Sequence, residues 1–254
     1  IKVAYISADK GIPIDGNKGA SVHIRNFCEA LKDQGSEVHI FTIQPAENLD
    51  LNFKIPVYTS KLDKASALVL SELYQKNSNS NLAREIKSLI SNSSLQNLVS
   101  KLHSKIKFDF IYERYSLWGF AGAQLASSLR IPFILEVNSP LIEEQKKFRT
   151  LTLESLAGLI ENFNFYQADK IIVVSEDLKE YVVQKGISKS KVLVLPNAVN
   201  PQLFNPQISA SDSLPKQLKA RKDKKFILGF VGSLKPWHGI SLLTQAFLRL
   251  YRED

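Results

Sequence analysis

Six short apolar runs constrain this chain more than anything else in it: KVAYIS near the amino terminus, then EVHIFTI, FDFIYE, PFILEV, KIIVVS and KVLVLPNAV. Each is rich in Val, Ile, Phe or Tyr, and between them lie stretches whose apolar residues recur at helical spacing. Strands that are apolar on both sides need cover on both faces. Intervening helices give that cover when the strands run parallel. Residues 1 to about 200 are therefore expected to form an α/β, Rossmann-like domain with helices on both faces of a parallel sheet.

The boundaries carry their own chemistry. A helix is expected from about Ala20 to Gln34, closed by Gly35, and Gly186 closes a later helix that Ser175 opens as N-cap. A second long helix is expected near Leu141 to Tyr166. Residues near 60 to 105 read as a flexible helical insertion, because the polar runs NSNSN and SNSS interrupt its pattern. The Pro-, Ser- and Lys-rich stretch 201–225 reads as an interdomain linker, and residues 226–254 as a new strand, turn and helix carrying Leu242, Leu243, Ala246, Phe247 and Leu250.

Composition narrows the function classes. Of 254 residues, 33 are Lys or Arg and 25 Asp or Glu, a net charge of +8 that favours anionic partners. No basic stripe interleaved with aromatics suggests nucleic acid, and no apolar run is long enough for a transmembrane helix. A cytoplasmic protein is expected, with peripheral contact at the inner membrane face suggested by the basic and apolar stretch LVSKLHSKIKF. The single Cys28 falls on an apolar helix face and reads as a buried structural thiol; no cluster has metal-ligand spacing.

In parallel sheets of this kind, ligands bind outside the carboxyl ends of the strands where the strand order switches. The turn SADKGIPIDGNKGAS is the richest. Gly11, Gly16 and Gly19 lack the spacing of a dinucleotide fingerprint, and in GIPIDGNK the position of the P-loop lysine holds Asn17. There remains a loop that delivers Gly19, Ala20 and Ser21 to a helix start, where backbone N–H groups favour a phosphate. The alternative is that Gly19 only relieves a tight turn. Tyr112, Arg114 and Glu136 sit at strand ends, either as an ion pair holding the loops or as substrate contacts.

KGASVHIRNFCEALKDQGSEVHIFT, FILEVNSPL, ADKIIVVSEDLKEYVV, VLVLPNAVNPQLFNP and FILGFVGSLKPWHGISLLTQAF, in this order, resemble glycosyltransferase family 4, the retaining, nucleotide-sugar-dependent enzymes of GT-B architecture. The resemblance implies two Rossmann-like domains facing a cleft, with the amino-terminal one holding mainly the acceptor. Residues 226–254 would then be the first strand-helix unit of the donor domain, and these 254 residues alone are expected to be inactive. Gly19 matches the second glycine of the family's Gly-Gly loop and Lys18 replaces the first. Asn138 stands where many members have a His contacting the transferred sugar; it can hydrogen-bond a hydroxyl but cannot carry a proton. Ser233 and His238 occupy the places of the Arg and Lys that grip the diphosphate, and Lys235 is the substitute cation. His23, in the first turns of the binding helix, is expected to reach the acceptor, and Arg114 and Glu136 are further candidate substrate contacts.

The implied reaction moves a sugar, with retention, from a nucleoside diphosphate sugar to a glycan, lipid-linked or small-molecule acceptor. It needs neither cofactor nor metal. A non-catalytic acceptor or lipid-surface binding module is the rival reading, and a nucleotide-dependent oxidoreductase is disfavoured by the absent fingerprint.

Overall fold

The computed structural model describes residues 1–76, 80–202, 204–205, 228–232, 234 and 238–253. The chain divides into two compact units, Ile1–Asn197 and Ala198–Asp254. The first contains β1 (Lys2–Ser7), α1 (Gly19–Asp33), β2 (Glu37–Thr42), β3 (Val57–Thr59), α2 (Lys64–Lys76), α3 (Ser80–Ile106), β4 (Phe110–Arg114) and α4 (Ala121–Leu129). It continues through β5 (Phe133–Val137), α5 (Leu141–Phe148), α6 (Glu154–Gln167), β6 (Lys170–Val173), α7 (Glu176–Gln184) and β7 (Val192–Val194). The sheet is parallel in every pairing, in the order β3-β2-β1-β4-β5-β6-β7. Strand order therefore reverses between β1 and β4, which opens the crevice where Ser7 pairs with Arg114.

Alternation along the strands divides the core. Val3, Tyr5, Ile40 and Tyr112 face α1, where they pack with Ile24 and the buried Cys28. Ala4, Ile6, Phe41, Ile111, Phe133 and Leu135 face the other way, against Leu95 and Val99 of α3 and Ala121 and Leu125 of α4. Removing a side chain such as Phe133 or Leu135 wholly from water is worth roughly 1.5–3 kcal/mol. Helix ends follow the expected chemistry. Gly35 takes φ 86° after α1, with Ser36 N donating to Leu31 O, and Gly186 takes φ 87° after α7. At the start of α7, Ser175 Oγ accepts from Leu178 N.

Three features differ from the sequence expectations. The SNSS run does not break the chain: it lies inside α3, where Ser91 Oγ donates to Lys87 O and Asn92 Nδ2 to Leu89 O, satisfying polar side chains within the helix. That helix is part of the main core rather than a flexible addition. The expected helix 141–166 is two helices, because Glu85 of α3 accepts the backbone N–H groups of Thr152 and Leu153, each at 2.9 Å, and so fixes a new helix start at Glu154. Finally, β3 is an additional edge strand directly after Pro56, a position where a missing N–H costs no ladder bond.

The apolar residues of LVSKLHSKIKF are turned inward. Val99 and Phe108 are buried, and Leu98, Leu102 and Ile106 pack against the same core. The exposed residues of this stretch are Ser100, Lys101, Ser104, Lys105 and Lys107, so it has charge to offer a surface but no open apolar face. Among the described residues no helix is long and apolar enough to cross a membrane.

In the second unit, α8 (Ile240–Glu253) forms where the apolar periodicity places it. Its apolar residues are exposed, Leu242 at 72% and Leu250 at 63%. The expected strand 226–231 lies partly outside the described residues. Its described part, 228–231, is not paired into a sheet.

Candidate active site

Glu136, at the end of β5, is the centre of the crevice on its α1 side. Its side chain is 2% exposed and takes four donors. Oε1 receives Arg114 Nη1 at 2.8 Å, His23 Nε2 at 2.9 Å and Asn138 Nδ2 at 2.5 Å, while Oε2 receives the Tyr112 hydroxyl at 2.6 Å. Sheet register explains the convergence. Arg114 and Glu136 are paired across β4 and β5, and their side chains emerge on the same face as Tyr112, two residues earlier. His23 comes in from the second turn of α1, its ring stacked on Phe27 at 5.9 Å. Burial alone would raise the Glu136 carboxyl. The hydrogen bond and charge of His23, then the Tyr112 hydroxyl and the Asn138 amide, more than offset it and hold the group at about 2. Of the two readings of these strand ends, the ion pair is present. Glu136 remains an anion that orients His23, Arg114 and Asn138.

The loop after β1 forms the second wall. Arg25 of α1 latches it by donating to Ile14 O and to Gly16 O, and Lys18 Nζ donates to Gly11 O at 3.0 Å. Gly16 is required by packing, since a Cβ there would sit 2.8 Å from Ser21 Oγ. Gly19 is different. It is exposed, it lies outside the left-handed region, and a Cβ built on it meets nothing within 4 Å. The tight-turn explanation for Gly19 therefore has no support in the fold. It begins α1, whose N-cap Lys18 makes no side-chain cap, so the first-turn N–H groups beside Ala20 and Ser21 have no side-chain acceptor from the N-cap.

The third wall is the loop after β4, and residues that sequence reading did not single out hold it. Asn92 of α3 donates to Trp118 O at 2.8 Å and accepts from Phe120 N and Ala121 N. Asn164 of α6 donates to Gly119 O at 2.6 Å. Beneath them lies Glu113, 1% exposed, accepting from Gly122 N at 2.9 Å with its other oxygen unpartnered. Burial pushes this carboxyl up to about 8, with the Gly122 N–H only partly opposing, so at neutral pH it is held mainly as the acid. A Cβ at Gly122 would overlap Glu113 Oε2, so this glycine makes room for the acid. One turn earlier in α6, Glu161 is fully buried and accepts from Tyr115 and Tyr181 hydroxyls while pairing with Lys185 at 3.2 Å.

Buried polar atoms without a partner gather at these strand ends: Ser7 Oγ and Ser21 Oγ on one side, Glu113 Oε1 and Ser116 Oγ on the other. Such atoms are rare in folded proteins and mark places where water or a polar ligand completes the structure. Of the sequence-derived candidates, the fold brings His23, Arg114, Glu136 and Asn138 into one cluster and places Lys18, Gly19 and Ala20 on the adjoining loop and helix start. Ser233 and Lys235 lie outside the described residues. His238 belongs to the second unit, its ring 6.1 Å from that of Phe230. Among the described residues no group of three or more His, Cys, Asp or Glu could hold a metal ion.

Comparison with known proteins adds the lineage. The chain is 25% identical over 201 residues to UDP-Gal:alpha-D-GlcNAc-diphosphoundecaprenol alpha-1,3-galactosyltransferase from Escherichia coli, a match covering 77% of this chain and 49% of that protein. The chain thus spans about half the length of this curated relative. Among solved structures, a sucrose-phosphate synthase from Thermosynechococcus elongatus superposes with a TM-score of 0.53 at 16% identity, over 80% of this chain and 93% of that one. HepE from Anabaena, in complex with UDP-glucose, gives 0.51 at 15% identity, over 80% of this chain and 45% of that one. These likenesses are of fold, and the fold is the Rossmann-like arrangement of GT-B glycosyltransferases. The profile of Glycosyltransferase Family 4 matches residues 17–203, most of the chain, and the chain belongs to that family.

Proposed function

We propose that this chain is the acceptor-side part of a retaining glycosyltransferase that takes its sugar from a nucleoside diphosphate sugar. The observation that carries the reading is the juxtaposition at the crevice of an open helix start, led by a glycine the fold itself does not require, with a cluster of oriented hydrogen-bond donors. The first-turn N–H groups at Gly19 and Ala20, with Lys18 nearby, face the donor phosphates. Asn138 and His23, both tethered to Glu136, position hydroxyls of the transferred sugar and the acceptor. Residues 226–254 contribute the first unit of the donor domain, where Lys235, assisted by His238, neutralises the charge that develops on the departing diphosphate and Ser233 offers a hydroxyl to the donor. The curated relative is named for UDP-galactose and a diphosphate-linked lipid acceptor, which supports a uridine nucleotide as donor and a lipid-linked acceptor here.

The leaving phosphate assists deprotonation of the acceptor in a front-face displacement, and the protein supplies geometry and charge stabilisation. The test is release of nucleotide from a panel of UDP-, GDP- and ADP-sugars by a protein extended to the length of the relatives, with the product's anomeric configuration read by proton NMR. Inversion overturns the retaining mechanism. Absence of release with every donor, beside binding of a glycolipid acceptor, converts the reading into a non-catalytic binding module. The same panel with the 254 residues alone is expected to give no turnover.

A further inference from the structure

One cation in the crevice is buried without a counter-charge. Lys10 follows β1, and its backbone is fixed: Gln44 Nε2 donates to Lys10 O at 2.7 Å, and the N–H of Gly11 donates to Asp9 Oδ1 at 2.6 Å. Its Nζ is removed from solvent and has no hydrogen-bond partner. An ammonium has three donors to satisfy, and an uncompensated one out of water is costly. The neighbouring charge makes matters worse, because Lys87 of α3 lies within electrostatic reach and is of the same sign. Burial first, and Lys87 second, bring Lys10 down to about 8. An ammonium stripped of water just after β1, with a second lysine within electrostatic reach, is relieved by an oxyanion.

The location fits that role. Lys87 sits five residues before Asn92, the side chain that pins the loop after β4. The loops after β1 and β4 adjoin, since a Cβ at Gly119 would lie 3.4 Å from Ala8 Cβ. α3, which carries Lys87, packs on the face of the sheet opposite to α1, which Gly19 begins.

We propose that Lys10 and Lys87 form a phosphate subsite that takes the phosphate or diphosphate group of an acceptor, separate from the donor phosphates at α1. The word acceptor rests on the transfer reading above; the anion site rests on the two lysines alone.

Calorimetric binding of inorganic pyrophosphate, geranyl diphosphate and UDP to the 254-residue protein tests it, with Lys10→Met and Lys87→Met as variants. Pyrophosphate and geranyl diphosphate are expected to bind about tenfold or more weakly to either variant, with UDP changed by less than about threefold. Without anion, Lys10→Met is expected to melt at a higher temperature than the wild type, because it removes a buried charge; saturating pyrophosphate reverses that order. Unchanged pyrophosphate affinity in both variants overturns the subsite. Loss confined to UDP overturns its assignment to the acceptor. If Lys10→Met fails to fold, the buried-charge premise falls, and Lys87→Met still reports on the anion. Sugar-nucleotide turnover with unchanged anion affinity removes the subsite and leaves the reaction; lysine-dependent anion binding without turnover by the extended protein does the reverse.

Discussion

Replacing Glu136 by Gln tests whether the crevice is organised by a buried anion. In the wild type the carboxyl titrates at about 2, against an ordinary value of 4.5. Above pH 4.5 the group is ionised in both folded and unfolded chains, and its favourable interactions contribute fully. As pH falls from about 4.5 towards 2, the unfolded chain takes up the proton first and this contribution is lost. The gap corresponds to about 3 kcal/mol at roughly 1.4 kcal/mol per pH unit. The glutamine keeps one carbonyl acceptor but aims an NH2 group at donors, leaving at least one of Arg114, Tyr112, His23 or Asn138 without its bond. Breaking such a buried charged pair costs roughly 3–5 kcal/mol. Urea unfolding of wild type and Glu136→Gln at pH 7, 5 and 3 gives both quantities. The variant is expected to be less stable at pH 7, with about 2 kcal/mol of the deficit gone by pH 3. A deficit that stays constant from pH 7 to pH 3 refutes the buried anion.

Glu113→Gln should behave in the opposite sense: the wild-type acid sits at about 8, so stability falls as pH rises from about 4.5 to 8, and the variant should lack that slope in urea melts. Gly19→Val should leave the thermal midpoint nearly unchanged, since a Cβ meets nothing there, and lower turnover of the extended enzyme by about 100-fold or more by blocking approach to the phosphates; wild-type turnover removes Gly19 from the site. Asn92→Ala removes three hydrogen bonds to the loop after β4 and should cost about 2–4 kcal/mol in urea unfolding, with hydrogen exchange rising at Phe120 and Ala121.

The sheet was legible because six apolar runs each demand cover, and parallel pairing is the solution that intervening helices permit. Helix ends were legible where one residue type carries the geometry, as with Gly35, Gly186 and Ser175. The hub was partly legible: strand ends at a switch point are where polar side chains converge, and Arg114, Glu136, Asn138 and His23 do. The supporting residues were not. Asn92 lies in a run that reads as polar interruption, Glu85 and Asn164 lie in stretches that read simply as helix, and the partners of all three are backbone groups more than 25 residues away, which no local pattern encodes. The break at 149–153 was hidden for the same reason, because a carboxylate on α3 ends what periodicity would continue.

Two carboxylates at adjoining strand ends are thus held in opposite states by their surroundings, and this bears on the proposed chemistry. Glu136 is ionised but too weakly basic to draw a proton from a hydroxyl near neutral pH, and both its oxygens are occupied by donors. Glu113 is the stronger base, yet it lies beneath the pinned loop, held mainly as the acid and closed off from the crevice. Neither suits removal of a proton from an acceptor. His23 is the remaining titratable group of the hub that can pass a proton, and its Nε2 is committed to Glu136, so the imidazole can act through Nδ1 alone. If His23 served as the base, His23→Gln, which preserves a hydrogen-bonding amide, would abolish turnover of the extended enzyme. The front-face mechanism, in which the departing phosphate accepts the proton, expects instead a weakened acceptor KM with kcat reduced by about tenfold or less. A loss of kcat beyond about 1,000-fold with KM unchanged would transfer the proton-abstracting role from the phosphate to His23.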